Sequence, residues 1–307
     1  MIRLIFANKT AYGLHLEPEG LRVVGVNRRG KEYLVCCQAF FPSVEGRPGE
    51  KNFPVVNLED AAELMDGKGS GAVAAMPGDF LSIRFFQLPH MPLKEPEKAA
   101  EWEMRLLSPG QDVLVRVLRL GGQRAGGGSL VDMLGISVSR QVAGDFYLYF
   151  SASGIRLSAV EPEFIALWRL LKYCGALSGS RDEYIAAAYV GISRSVLLVC
   201  RNSAIMHSKV IPAGIKRGMP RRVSHGGSDG LLTEIEQSLK QMAAMEKHCK
   251  IDGVLLCGQA GELLAGEKKL AYKDIIFRIL SVEFGGGEVL APEMAVAAGL
   301  ALRGLWS

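Results

Sequence analysis

The six cysteines, at positions 36, 37, 174, 200, 249 and 257, are the first residues to test for chemistry. None forms a C-x-x-C pair, and a zinc site needs thiolate or imidazole ligands at short spacing. Thiols packing as small hydrophobes account for them, with Cys36, Cys37, Cys200 and Cys257 set in apolar runs. His15 and Glu17 offer only two ligand types, too few for a transition-metal site. His90 lies in the rigid Leu88-Pro89-His90-Met91-Pro92 turn, where shaping the loop is the expected role. Glu101 and Arg105 have the i, i+4 spacing of a surface ion pair on a helix. Glu161, just before Pro162, reads as a charge at a helix start. The G-x-S-x-G, Walker A and H-E-x-x-H patterns are absent, so the corresponding hydrolase and NTPase chemistries have no foothold. No catalytic or metal-ligating residue is expected.

A basic stretch within 214–230, with Lys216, Arg217, Arg221 and Arg222 among Gly, Pro and Ser, reads first as a solvated loop. Its functional reading is contact with anionic lipid headgroups, at about 1 kcal/mol per basic residue near the surface. A net charge of +4 on 307 residues is too weak to point to nucleic acid. The 49% hydrophobic and 22% charged composition belongs to an ordinary globular protein, long enough for more than one packing unit. No run approaches the roughly 20 apolar residues that span a bilayer. The opening MIRLIFANKT lacks a signal-peptide pattern, so a cytoplasmic location is expected.

These residues must be positioned by strands and helices whose order is partly repeated. Residues 12–35 (YGLHLEPEGLRVVGVNRRGKEYLV) and 187–210 (AAYVGISRSVLLVCRNSAIMHSKV) each read as three strands joined by polar turns. The hairpin turns fall at 27–30 and 201–203. A β-turn-β-turn-β plan repeated about 174 residues apart suggests two related halves rather than a solenoid. Each repeat is followed by a helix: 57–65, with an Asn start and acidic first turn, and 231–247. In the latter, Leu232, Ile235, Leu239 and Met242 form one apolar stripe.

Between the repeats, 71–120 runs from an apolar strand ending in Met76-Pro77-Gly78 to a second strand at 82–87 and the Pro-rich turn. An acidic-started helix bearing Trp102-Glu103 and an alternating strand follow. A Gly-rich tip at 121–128, a strand and a helix at 141–152 complete a β-α-β-β-α insertion at 82–157. A helix at 163–173 is expected to close the first half. A buried-type strand at 250–258 and an Ala-rich helix opened by Pro292 finish the chain.

This order of elements resembles the PilM family, actin-like cytoplasmic proteins of type IV pilus assembly related in fold to the cell-division protein FtsA. The likeness covers nearly the whole chain and includes the terminal Gly299-Leu300-Ala301-Leu302-Arg303. It implies an α/β, actin-like fold of two ribonuclease H-like halves, 1–81 plus 158–176 and 177–307, with the inserted α+β subdomain at 82–157.

The resemblance also implies a nucleotide cleft made by two glycine turns whose amides face phosphates, with acidic residues organising Mg²⁺. The family's first turn reads Gly-Ile-Asp-Ile-Gly-Ser; here Gly13-Leu14-His15-Leu16-Glu17-Pro18 stands in its place. His15 replaces the acid, Glu17 replaces the glycine and adds negative charge, and Pro18 removes an amide. The second turn, Asp-Ile-Gly-Ala-Thr in the family, is Tyr189-Val190-Gly191-Ile192-Ser193 here, followed by Arg194 and Ser195. Arg194 is placed to contact a phosphate or to stand solvated in the turn. Leu256-Cys257-Gly258-Gln259-Ala260-Gly261 matches the adenine-side loop. Both acids of the Mg²⁺ site are missing, and phosphoryl transfer depends on metal and positioning. ATP is the cofactor such a cleft would take, and these substitutions argue that none is held.

The resemblance further implies a scaffold, not an enzyme, peripheral to the inner membrane through the cytoplasmic tail of a single-span PilN-like protein. That tail would lie extended in a groove between the insertion and the first half. The expected lining is Arg84, Phe86, Leu88, Leu134 and Ile136. Three alternatives follow from the same likeness: a type II secretion component, a homo-oligomer or filament, and an actin-like protein that binds or hydrolyses ATP. The last would rest on Gly191, Ser193, Ser195, Gly214 and Gly258.

Overall fold

The computed structural model describes residues 9–44, 53–65, 71–89, 92, 95–120, 130–178, 183–215, 228–245, 249–264 and 267–306. His90, the Gly-rich tip at 121–128 and the basic residues Lys216, Arg217, Arg221 and Arg222 lie outside them.

The first repeat folds as β1 (Lys9–Glu17), β2 (Gly20–Arg29) and β3 (Glu32–Pro42). Helix α1 (Leu58–Leu64) and β4 (Ala72–Met76) follow. With β8 (Leu157–Pro162) these strands make a sheet of order β3-β2-β1-β4-β8. β1, β2 and β3 pair antiparallel, while β1–β4 and β4–β8 are parallel.

The second repeat rebuilds the same plan with β9 (Tyr184–Val190), β10 (Ser195–Arg201) and β11 (Ala204–Ile211). Then come α5 (Ser228–Met245), β12 (Gly253–Gly258), α6 (Ala260–Leu263), β13 (Lys269–Tyr272) and β14 (Ile275–Ile279). The sheet order is β11-β10-β9-β12-β14-β13. Its β10–β11 turn places Asn202 and Ser203 at φ of 50° and 62°, the left-handed conformation that tight hairpins require.

Strand alternation decides which face each side chain serves. In β1, Leu14 and Leu16 point outward to a core completed by Leu58 and Ala61; Ala11 on the opposite face joins the core between the two sheets. In β9, Ala186, Ala188 and Val190 face α5 and α6, while Ala187 and Tyr189 face inward.

Two helices fill the space between the sheets. Helix α4 (Glu163–Tyr173) packs against β10 of the second sheet as well as against β4 and β8. Helix α7 (Ala295–Trp306) packs against β1, β2 and β4 of the first sheet, and the two helices pack on each other. The helix expected to close the first half is thus shared. Its apolar residues do not form the single stripe of a surface helix: eight of its eleven residues are buried, as a helix sandwiched between layers must be.

The approach is close enough to demand glycine at both contacts. A Cβ on Gly299 would strike the Ala166 carbonyl of α4, and one on Gly13 would strike the Ala297 carbonyl of α7. Arg169 on α4 is buried, makes two hydrogen bonds to Glu161 at the end of β8, and donates to the Gly299 carbonyl at 3.1 Å. Glu161 is therefore an anchor for the helix pair rather than a loose helix-start charge.

The insertion contains β5 (Leu81–Pro89), α2 (Glu95–Leu106), β6 (Val113–Arg119), β7 (Leu130–Ser139) and α3 (Arg140–Ser151). Its sheet, of order β5-β7-β6, is antiparallel. α2 covers one face through Ala100 beside Met133 and Val131. α3 leaves the sheet and buries Phe146 and Phe150 in the first half's outer core. Leu157 already belongs to β8, paired with Ala72.

Cys200 and Cys257 are buried, Cys36 is exposed, and the other three thiols are intermediate. Cys36 corrects the expectation of burial: β3 is an edge strand, and one of its faces looks to solvent.

Candidate functional site

The two repeated turns meet between the halves. His15 and Glu17 on β1 and Arg22 on β2 occupy the inner face of the first sheet, because His15 pairs directly with Arg22. Tyr189 at the end of β9 and Arg194 at the start of β10 approach from the second. All five are less than a tenth exposed.

Glu17 ion-pairs with Arg22 and accepts a 2.7 Å hydrogen bond from the Tyr189 hydroxyl. Its other oxygen lies in the bend of the second turn, 2.9 Å from where a Cβ on Gly191 would stand. Arg22 also lies over the Phe40 ring at 4.9 Å, a cation–π contact.

A second set of contacts centres on Glu163, the first residue of α4. His15 Nε2 lies 2.9 Å from Glu163 Oε1, Arg194 donates to the same oxygen at 2.6 Å, and the Gly78 amide donates to Oε2 at 3.3 Å. The other arm of Arg194 donates to Asp79 at 2.8 Å. The His15 ring sits edge-on to Tyr189, centroids 4.9 Å apart.

Burial alone would raise the Glu163 carboxyl. The Arg194 charge and the His15 hydrogen bond overcome it and hold the group at about 2. For Arg194, burial opposes the charge, but Glu163 and Asp79 keep its guanidinium above the ordinary arginine value. Burial, then the Glu17 carboxylate, push the Tyr189 phenol well above its usual range, so it remains a donor.

The five residues expected to hold a nucleotide lie around the second turn. Gly191 is buried and its carbonyl accepts from the Ile215 amide at 2.9 Å. A Cβ on Gly214 would strike that carbonyl, and one on Gly258, at φ +75°, would strike the Val190 carbonyl. These three glycines let chain segments touch at the end of β9. Ser195 is fully buried and spends its hydroxyl on the Ala213 carbonyl at 2.8 Å. Ser193 alone of the five is exposed. Arg194 is enclosed, not solvated.

Glu163, Arg22 and Asp79 were missed as site residues. Arg22 left a readable signal, a lone charge in an otherwise apolar run (GLRVVGV). Glu163 and Asp79 left none, because a helix-start acid and an acid after Pro-Gly are ordinary surface features. Among the described residues, no cluster of His, Cys, Asp or Glu suits a metal ion.

The five expected groove residues do not form one surface. Phe86 and Leu88 point to the face under α2, with Arg84 exposed over Phe86 at 5.8 Å. Leu134 and Ile136 point to the opposite face and are closed into the core between the halves; they cannot line an open groove. The reason is the register: Phe86 pairs with Met133 and Phe85 with Leu134, so even-numbered β5 residues share a face with odd-numbered β7 residues. On the Leu134 face, Leu114 and Leu118 of β6 remain 37% and 43% exposed on an edge strand. Val160 is 42% exposed on β8, the edge of the first sheet.

Two duplicated sheets of this topology, with a helix pair between them, define an actin-like fold. Comparison with solved structures agrees. The chain is similar to a PilM–PilN type IV pilus biogenesis complex, with a TM-score of 0.74 and 19% identity over 96% of this chain and 98% of that one. It is also similar to the cytoplasmic domain of EpsL, an inner membrane component of the type II secretion system of Vibrio cholerae. There the TM-score is 0.52 and the identity 11%, over 96% and 95% of the two chains. No protein-family model and no curated protein matches the sequence. Among the described residues, no helix is long and apolar enough to cross a membrane.

Proposed function

We propose that the chain is a scaffold of a type IV pilus or related type II secretion machine, which binds the cytoplasmic tail of a PilN-like inner-membrane protein. The observation that carries this reading is the likeness to a PilM–PilN complex over 96% of the chain, a coverage too high to omit the insertion. The location is then the cytoplasmic face of the inner membrane, with attachment through the partner. An extended tail is held by main-chain hydrogen bonds to a sheet edge, with side-chain pockets for specificity. The edge strand β6, with Leu114 and Leu118 half-open, and the β8 edge with Val160 are suited to it.

The cleft between the halves is read as one that holds no nucleotide. Its charged groups are already paired, and Glu17 stands beside Gly191, where a phosphate would have to enter. Scaffolding rather than hydrolysis follows.

The test is fluorescence anisotropy with the cytoplasmic tail peptide of the PilN-like protein encoded in the same organism. Saturable micromolar binding, weakened at least tenfold by Leu114→Glu with Leu118→Glu, is expected. A tail that does not bind the intact chain would sink the scaffold reading. Calorimetric titration with Mg-ATP is expected to give no heat; saturable heat lost in Ser193→Ala would instead favour the ATP-binding alternative.

A further inference from the structure

The charged groups of the cluster at the turns are paired with one another without any ligand: Arg22 with Glu17 and, at 3.8 Å, Glu19, and Arg194 with Glu163 and Asp79. Charges so enclosed are tolerated only when paired and hydrogen-bonded. The pairing is distributed across the molecule. Glu17 belongs to the first sheet and Tyr189 to the second; Arg194 belongs to the second, while its partner Asp79 follows β4 of the first. Glu163 ties His15 of the first sheet to Arg194 of the second. Separating the halves would break these bonds and leave charges facing an opening cleft.

Glu17 has a particular place in this arrangement. Its carboxylate lies where two converging elements present positive or donor groups: the Arg22 guanidinium and the Tyr189 hydroxyl. Arg22 Nε is buried and has no hydrogen-bond partner. The guanidinium beside Glu17 thus keeps a donor that neither Glu17 nor Glu19 uses.

We infer that Glu17 is a tethered anion that clasps the two halves: its carboxylate fills an anion site built from Arg22 and Tyr189, and so holds the closed arrangement in the free protein. The site takes a carboxylate or phosphate of similar size when the tether is cut. In the intact chain it is saturated by its own side chain and does not respond to anions in solution. The inference rests on the cluster geometry and not on tail binding. A tail that fails to bind would leave it standing, and a clasp that fails would leave the tail reading untouched.

The experiment uses the full chain and its Glu17→Ala variant. Thermal unfolding and small-angle X-ray scattering are followed with added sodium formate, acetate or phosphate, against sodium chloride at matched ionic strength. The wild type is expected to show one unchanged scattering profile and no specific anion effect. Glu17→Ala is expected to melt lower and scatter as a wider particle, with both changes reversed by formate, acetate or phosphate and not by chloride. A variant as compact as wild type, or one indifferent to all three anions, would overturn the inference. So would a wild-type melting temperature that climbs with formate.

If Glu17→Ala does not fold, Tyr189→Phe decides the matter, since it removes only the hydroxyl that reaches across. A wider particle for Tyr189→Phe supports the clasp; an unchanged profile refutes it.

Discussion

The ion pair between Glu163 and Arg194 sets a stability that pH should read directly. Holding the Glu163 carboxyl at about 2 against an ordinary 4.5 corresponds to about 3 kcal/mol of folding stability, at about 1.4 kcal/mol per pH unit. Because the folded-state value is the lowered one, that stability is fully present above pH 4.5 and is lost as pH falls toward 2. Glu163→Gln keeps the shape and removes the charge. It leaves Arg194 enclosed with Asp79 as its remaining counter-charge, a loss in the range of about 3 to 5 kcal/mol for a broken buried pair. Urea unfolding of wild type and variant across pH 2 to 7 should therefore give curves separated by about 3 kcal/mol above pH 4.5, converging below it. Arg194→Met alone should cost a similar amount, and the double variant less than the sum of the two. A gap between wild type and Glu163→Gln that is as wide at pH 2.5 as at pH 7 would show that packing, not charge, accounts for the loss.

Helix packing and thiol chemistry give two more tests. Gly299→Leu would drive a side chain into the Ala166 carbonyl of α4, so a loss of about 3 kcal/mol or more from overpacking is expected in thermal unfolding, whereas a change within 0.5 kcal/mol would contradict the helix contact. Burial pushes the Cys200 thiol up to about 12 and the Cys257 thiol higher still. With thiolate the reactive form, mass spectrometry after brief iodoacetamide treatment should find Cys36 modified and these two untouched until the protein is unfolded.

Local features of the chain were readable because they depend on neighbours in sequence. Apolar runs broken by polar turns mark β1 to β3 and β9 to β11, and the bounds of α4 coincide with the expected 163–173. The likeness of the two runs pointed to two related halves, and the actin-like fold was what the resemblance of the whole element order implied. Sharing of α4 and α7 between the sheets was hidden, since it depends on which sheet each helix finally covers. The groove residues failed for a related reason. Alternation along β5 and along β7 is visible separately, but the register that sets Phe86 against Met133 is a contact across more than forty residues. At the site, His15 and Tyr189 stood out in the sequence as members of the two turns. Their partners did not, because Glu17 and Tyr189 are 172 residues apart and Glu163 looks like any helix-start acid. The strands β13 and β14 carried no expectation, being short and without a clear turn between them.

The helix pair and the charged cluster contribute differently to holding the halves together. α4 and α7 bury Leu167, Leu170, Leu300 and Leu302 completely, and each such side chain contributes about 1.5 to 3 kcal/mol. Apolar contact is not directional, however, and tolerates small rotations. A network of buried ion pairs adds little net stability over a well-packed apolar equivalent, because desolvation offsets most of the attraction; what it imposes is geometry. Melting temperature and inter-half geometry should therefore separate when the whole Glu17 group is exchanged for apolar side chains. Glu17→Leu, Arg22→Leu and Tyr189→Phe together should unfold within a few degrees of wild type. Distances between spin labels on β3 and β11 should nevertheless broaden, as the second sheet is freed to rock about the helix pair. If the triple variant keeps the narrow wild-type distribution, then α4 and α7 alone fix the arrangement of the halves, and the charges between them serve some other end.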